Sequence, residues 1–91
     1  MITITCDPVK HAETLAHRAL DFYDAAIVFA GRTATVEDVR RDYGERRFRT
    51  AGYLRGRLVV IMWTPRGTVR HVFSMRYCHA KEERKWIERM G

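Results

Sequence analysis

The stretch RLVVIMWTPRGTVRHVFSMRY, residues 57–77, decides the fold. Arg57 to Thr64 is a strongly apolar run of strand length, and Pro65-Arg66-Gly67 is typical of a tight turn. Val69 to Tyr77 follows with alternating side chains, which predicts the last strand of a meander. Two long strands joined by a tight turn predict an antiparallel sheet at the centre of the molecule.

Further strands are predicted on the N-terminal side of this hairpin. Arg46 to Tyr53 leads through the turn Leu54-Arg55-Gly56 into the apolar strand. Met1 to Cys6 is short, alternating and β-branched, which predicts a first strand. Thr33 to Val36 could add a short strand, and Glu37 to Tyr43 is predicted to be a polar loop.

Helical signals occupy the remaining segments. Asp7 followed by Pro8 predicts a helix start, because aspartate caps the first turn and proline suits its first position. This helix should bury a stripe at helical spacing. The predicted stripe consists of Val9, Ala12, Leu15, Ala16 and Ala19. Asp21 predicts a second N-cap, and Gly31 the end of that helix.

Ala80 to Met90 closes the chain as a charged helix, and its Trp86 is expected to pack onto the sheet. The predicted order is β-α-α-β-β-β-α in a single domain, residues 1–91. This indicates an α+β fold in which helices pack on one face of an antiparallel sheet.

Charge is distributed unevenly along the chain. The net charge is +6, and 46% of the residues are hydrophobic, which is ordinary for a globular protein. Residues 1–39 carry three Lys or Arg against six Asp or Glu, whereas residues 40–91 carry fourteen against five. Arginine dominates this excess, and its planar fork suits phosphate. The basic half therefore indicates a polyanion or an acidic partner, or else only a solvated basic surface.

Several classes of protein are not supported. The longest apolar run, Leu58 to Trp63, is far shorter than the roughly 20 residues that span a bilayer. The N-terminal residues lack the basic start and apolar stretch of a signal peptide, so a cytoplasmic protein without a membrane partner is expected. Cys6 and Cys78 have no zinc-ligand spacing and are predicted to be reduced thiols. The acidic residues of the basic half are scattered, so neither a metal nor another cofactor is expected.

Several local strings, in order, resemble the BrnT toxins. The matching segments are Asp-Pro-x-Lys at residues 7–10, Phe-x-x-Ala-x-x-Val-Phe at residues 22–29, Glu-Arg-Arg at residues 45–47 with Gly52, Phe-Ser-Met-Arg at residues 73–76, and Glu82 with Trp86. One corner departs from the family, which has Asn and then Lys-His-Gly. This chain has Thr14, then His17, Arg18 and Ala19.

The resemblance implies a RelE-like ribonuclease fold and the toxin of a type II toxin–antitoxin pair that inhibits translation. It also implies a BrnA-like antitoxin with a ribbon-helix-helix DNA-binding part. Two toxins and two antitoxins would form a hetero-oligomer, and the toxin would reach operator DNA only through the antitoxin.

Metal-free RNA cleavage fits the residue types present. The 2′-hydroxyl attacks the adjacent phosphorus, so an enzyme must stabilise charge on phosphate and move protons. Strict alternation in the last strand would place Arg70, Ser74 and Arg76 on one face and His71 and Phe73 on the other. A sheet face with several guanidinium groups and a serine hydroxyl would form a phosphate cradle.

The candidate residues divide by role. Arg76 is matched to the family's terminal-strand arginine and is the predicted phosphate clamp, with an ion pair to Glu82 or Glu83 as its structural alternative. The other catalytic candidates are Arg46, Glu45 as base or orienting partner, and His17 and His71 as acid or base. The predicted RNA-binding residues are Arg47, Arg70, Lys10 and Ser74.

Two other readings stay open. A non-catalytic module could hold RNA or an acidic partner on the basic sheet, and it would leave RNA intact after long incubation. A structural subunit of a hetero-oligomer would show no affinity for nucleic acid.

Overall fold

A computed structural model describes residues 2–91, so the predicted start of the first strand at Met1 lies outside the described residues. The strands are β1 (Thr3–Cys6), β2 (Thr33–Asp38), β3 (Arg47–Leu54), β4 (Arg57–Arg66) and β5 (Val69–Tyr77). The helices are α1 (Pro8–Arg18), α2 (Ala25–Ala30) and α3 (Ala80–Met90), and a 3₁₀ turn (Phe22–Asp24) precedes α2. None of the helices described is long and apolar enough to cross a bilayer.

The five strands form one sheet in the order β1-β5-β4-β3-β2. The predicted α+β class is confirmed, and the elements follow the predicted order with one strand more, because the optional strand at Thr33 is formed as β2. β2 continues to Asp38, where a polar loop was expected. β2 to β5 form the expected antiparallel meander, whereas β1 lies parallel to β5, with Thr3 opposite Val69. The sheet is therefore mixed rather than wholly antiparallel.

Alternating residues of β4 divide the core into two layers. Val59, Ile61 and Trp63 face a cluster that contains Phe22 of the 3₁₀ turn and Val28 of α2. We call this side the first face. The intervening residues of β4 face Trp86 of α3 on the second face. The predicted role of Trp86 is thus confirmed, and α3 covers the face opposite α2.

Backbone proximity fixes α2 on the first face. A Cβ at Gly52 of β3 would lie 2.6 Å from a methyl group of Val28 and 2.9 Å from one of Thr33. Distances this short are not tolerated between carbon atoms, so the helix can approach the sheet only because residue 52 has no side chain. α2 ends at Gly31, as its sequence predicts.

Helix α1 begins where it was predicted but does not bury the predicted stripe. The Asp7 carboxylate accepts a hydrogen bond from the Val9 N–H at 2.9 Å, and Pro8 follows it. Val9 is 63% exposed and Leu15 is 47% exposed, and no residue of α1 is buried. The stripe prediction is wrong because α1 turns its polar side inward, where Arg18 donates a hydrogen bond to the Met75 carbonyl of β5 at 3.0 Å.

The predicted cap Asp21 is present, but it begins the 3₁₀ turn instead of the α-helix, and α2 starts only at Ala25. The Asp21 carboxylate accepts from the Tyr23 N–H at 2.9 Å and lies 2.8 Å from His11 Nε2. The cap on Tyr23 is the main cause of a lowered Asp21 pKa. The contact between His11 and Asp21 joins α1 to the 3₁₀ turn.

A β-bulge interrupts β5. Ser74 pairs with Met62 and Val72 with Trp63, so Phe73 has no partner on β4. The extra residue reverses the alternation of β5 beyond it. Arg70 therefore lies on the first face, where its guanidinium carbon is 4.2 Å from the centre of the Trp63 ring. Ser74 and Arg76 lie on the second face, because Arg76 is opposite Val60. The predicted sharing of one face by Arg70, Ser74 and Arg76 is wrong for this reason.

Candidate functional site

Phe73, the bulged residue, is surrounded by cationic side chains. The guanidinium carbon of Arg47 lies 4.2 Å from the centre of the Phe73 ring and 4.2 Å from that of Tyr43. The guanidinium carbon of Arg66 lies 6.0 Å from the same Phe73 ring. Both arginines are thus held beside an aromatic surface that could also stack on a base.

A single carboxylate links these two arginines. Glu45 lies 3.4 Å from Arg47 and 3.5 Å from Arg66, and it remains partly exposed. One negative charge shared between two guanidinium groups leaves the set net positive. The remaining positive charge favours an anion such as a phosphate beside the two guanidinium groups.

His71 also contacts Phe73, with the two ring centres 5.5 Å apart and the rings tilted by 75°. Its Nδ1 is 2.9 Å from the Thr5 hydroxyl of β1, which fixes the imidazole against the sheet. Burial lowers the pKa of His71, and the nearby Arg66 adds to this effect. The imidazole is consequently neutral at pH 7 and able to accept a proton.

A polar cleft of about 380 Å³ opens between α1 and β5 next to Phe73. β1 pairs only with the first half of β5, so α1 lies beside the second half and Arg18 bonds to its edge. The cleft is lined by Lys10, Glu13, Thr14, His17, Arg18, Phe73 and Ser74. We call this cleft, together with Glu45, Arg47, Arg66 and His71, the Phe73 cluster.

The cluster brings together six of the nine residues selected from the sequence. They are Lys10, His17, Glu45, Arg47, His71 and Ser74. Three others lie elsewhere. Arg46 is 5.1 Å from the ring of Phe48 and 2.9 Å from Glu37. Arg70 lies between aromatic rings of the first face, where burial lowers its pKa.

Arg76 shares the second face with Arg47, but its guanidinium group is already engaged. It lies 2.5 Å from one carboxylate oxygen of Glu82 and 3.3 Å from the other, and it also donates to the Tyr77 carbonyl at 3.2 Å. Arg76 lowers the pKa of Glu82 to about 2. The ion pair considered as the alternative for Arg76 is the arrangement found here.

Sequence reasoning did not assign Phe73, Arg66, Arg18 or Tyr43 to the site. Phe73 was seen only in a family string and on the face opposite Ser74, because nothing in its neighbours signals a bulge. Arg18 carried a detectable signal, since it stands in the corner where the family has Lys-His-Gly. Within residues 2–91, no three His, Cys, Asp or Glu side chains are grouped closely enough to hold a metal ion.

Comparison with protein families identifies the family to which the chain is similar. A family described as ribonuclease toxin, BrnT, of type II toxin-antitoxin system matches residues 7–82. These residues include all of the Phe73 cluster. A search of curated proteins gave no match.

Proposed function

The chain belongs to the BrnT family of ribonuclease toxins of type II toxin–antitoxin systems, and from this premise we propose that it cleaves RNA at the Phe73 cluster without a metal ion. The observation that carries the proposal is the bulge at Phe73. It turns Ser74 to the second face and places the aromatic ring between the α1 cleft and the arginines of β3 and β4. Phosphate-binding, proton-transferring and base-stacking groups consequently share one surface.

The reaction needs three kinds of help. The 2′-hydroxyl of one nucleotide loses its proton and attacks the adjacent phosphorus, and the 5′-oxygen of the next nucleotide leaves with a proton. The products are a 2′,3′-cyclic phosphate and a 5′-hydroxyl, so no external water is required in this step. Charge that builds on the non-bridging oxygens must be stabilised by fixed donors.

We assign the phosphate at the cleaved bond to the cleft. Lys10 and Arg18 supply positive charge from α1, and the Ser74 hydroxyl supplies a donor from β5. Arg47 and Arg66 hold a neighbouring phosphate, and the Phe73 ring stacks on a base.

The two histidines are assigned the proton transfers. His71 is neutral at pH 7 and accepts the proton of the 2′-hydroxyl, and His17 in the cleft donates a proton to the leaving oxygen. Glu45 orients Arg47 and Arg66. Arg46, Arg70 and Arg76 lie outside the cluster, and we assign them no part in the reaction.

The wider role follows from the family. Cleavage of cytoplasmic RNA would inhibit translation until the cognate antitoxin binds. We propose a BrnA-like antitoxin with a ribbon-helix-helix part, assembled as two toxins with two antitoxins, so that operator DNA is contacted only through the antitoxin.

Incubation of purified protein with RNA in excess EDTA tests the activity. Cleavage should persist, and its products should carry 2′,3′-cyclic phosphate ends. A 2′-deoxy nucleotide at the cleaved position should block the reaction. Intact RNA after long incubation, together with retained RNA affinity, would instead select the non-catalytic binding module.

Variants locate the reaction. Lys10→Ala and His17→Ala should each lower the cleavage rate by about 100-fold. This is the lower end of the range of rate losses seen when a proton-transferring or charge-stabilising group is removed. Lys81→Ala on α3 removes the same charge as Lys10→Ala but outside the cluster, and it should leave the rate unchanged. Equal rates in all three variants would refute the assignment of the site.

A further inference from the structure

Helix α1 presents an apolar stripe to the outside. Val9, Ala12, Leu15 and Ala16 recur at helical spacing, and all four are exposed, Val9 at 63% and Leu15 at 47%. The stripe is the side of α1 that the sequence predicts to be buried. Within residues 2–91, no other element covers this stripe. A helix usually packs apolar residues at this spacing against another surface.

The stripe borders the cleft directly. Lys10 and His17 line the cleft and follow Val9 and Ala16, respectively, in the same helix. On the inner side of the helix, His11 contacts the ring of Tyr23, with centres 5.1 Å apart, and Tyr23 is itself 52% exposed. Because Lys10 and His17 adjoin the stripe, a segment lying on the stripe would reach the opening of the cleft on that side.

We propose that this stripe seats an amphipathic segment of the protein antitoxin, whose carboxylates reach Lys10 and His17 and close the cleft. The partner class comes from the family, and the consequence for catalysis depends on the function proposed above. Apolar side chains of the segment would lie on Val9 and Leu15. Acidic side chains of the same segment would occupy the place of the RNA phosphate.

Charge selects this occupant over a second copy of the chain. The chain carries a net charge of +6, and Lys10 and Arg18 outnumber Glu13 along the cleft. A second copy would bring like charge to this edge, whereas an acidic segment gains attraction there. The inhibitor and the substrate would thus compete through the same chemistry, anionic groups at Lys10 and His17.

The test uses a charge placed on the stripe. Val9→Glu lies in the first turn of α1, where an acidic side chain favours the helix, so this variant should stay folded. Leu15→Glu places the same charge two turns further on. Each variant should bind the cognate antitoxin at least tenfold more weakly by calorimetry, because the new charge loses water against apolar surface and repels acidic groups.

Ile87→Glu is the matched control. Ile87 is 37% exposed on α3, which packs against β2 at the far edge of the sheet. This variant should bind the antitoxin as the unmodified chain does. Unchanged affinity in both stripe variants, or equal losses in all three, would overturn the proposal.

Two further measurements separate the possible failures. RNA cleavage by free Val9→Glu should match that of the unmodified chain, since Val9 does not line the cleft. Absence of cleavage in both, with weakened antitoxin binding, would refute the proposed function and leave the docking surface standing. A dimer of the chain alone that Val9→Glu dissociates would show that a second copy occupies the stripe, and would overturn the proposal.

Discussion

The guanidinium carbon of Arg47 lies 4.2 Å from the ring centre of Phe73. Phe73→Leu keeps apolar volume but removes the aromatic face on which a base would stack, a contact worth about 1 kcal/mol. We therefore expect RNA binding to weaken about fivefold, as a higher KM in a cleavage assay. Phe73→Tyr retains the ring and should behave like the unmodified chain. An unchanged KM in Phe73→Leu would remove Phe73 from the substrate surface.

Ala19 ends α1 with φ of 56°, in the left-handed region, where its N–H donates to the Leu15 carbonyl. Any side chain with a Cβ is strained there, so Ala19→Gly should raise the free energy of unfolding by about 1 kcal/mol. Ala16→Gly, three residues earlier in the helix, should lower it by about 1 kcal/mol. Urea denaturation measures both, and changes of the same sign would contradict the assigned strain.

Gly52 permits the close approach of α2 to β3. Gly52→Ala should lower the free energy of unfolding by about 1–3 kcal/mol, because its methyl group would overlap Val28. Gly31→Ala is the comparison, since a Cβ there would meet only a carbonyl oxygen at 3.7 Å. Thermal melting should show a lower Tm for Gly52→Ala than for Gly31→Ala, and equal values would contradict the close contact.

Glu82 has a pKa lowered from 4.5 to about 2, chiefly by its hydrogen bond with Arg76. A carboxyl group with a lowered folded pKa stabilises the fold above pH 4.5, and this contribution is lost as pH falls towards 2. Glu82→Gln should therefore melt below the unmodified chain at pH 6, and the two should converge near pH 2. A constant difference between the two Tm values over this pH range would show that ionisation of Glu82 does not contribute.

Local features were predictable because their causes are local. The cap at Asp7 with Pro8, the end of α2 at Gly31 and the β4–β5 hairpin each depend on a few adjacent residues. The parallel pairing of β1 with β5 was not predictable, because its partners lie 66 residues apart. The prediction of which side of α1 faces inward was wrong for a similar reason. An apolar stripe indicates a covered face but not which molecule covers it.

The candidate site was predicted by residue type more accurately than by geometry. Lysine, histidine and serine at positions 10, 17 and 74 do meet in one cleft. The phosphate cradle expected from Arg70 and Arg76 does not form, because one extra residue in β5 sends the two to opposite faces. Periodicity carries no information about such an insertion unless a glycine or proline marks it.

The parallel pairing of β1 with β5 also has a consequence for synthesis. Thr5 at the start of the chain contacts His71, and α1 meets the edge of β5 through Met75. Neither contact can form on a growing polypeptide until that last strand has left the ribosomal tunnel. A nascent chain whose β5 is still unsynthesised or enclosed in the tunnel therefore holds no assembled cleft, because the cleft has β5 as one of its two walls.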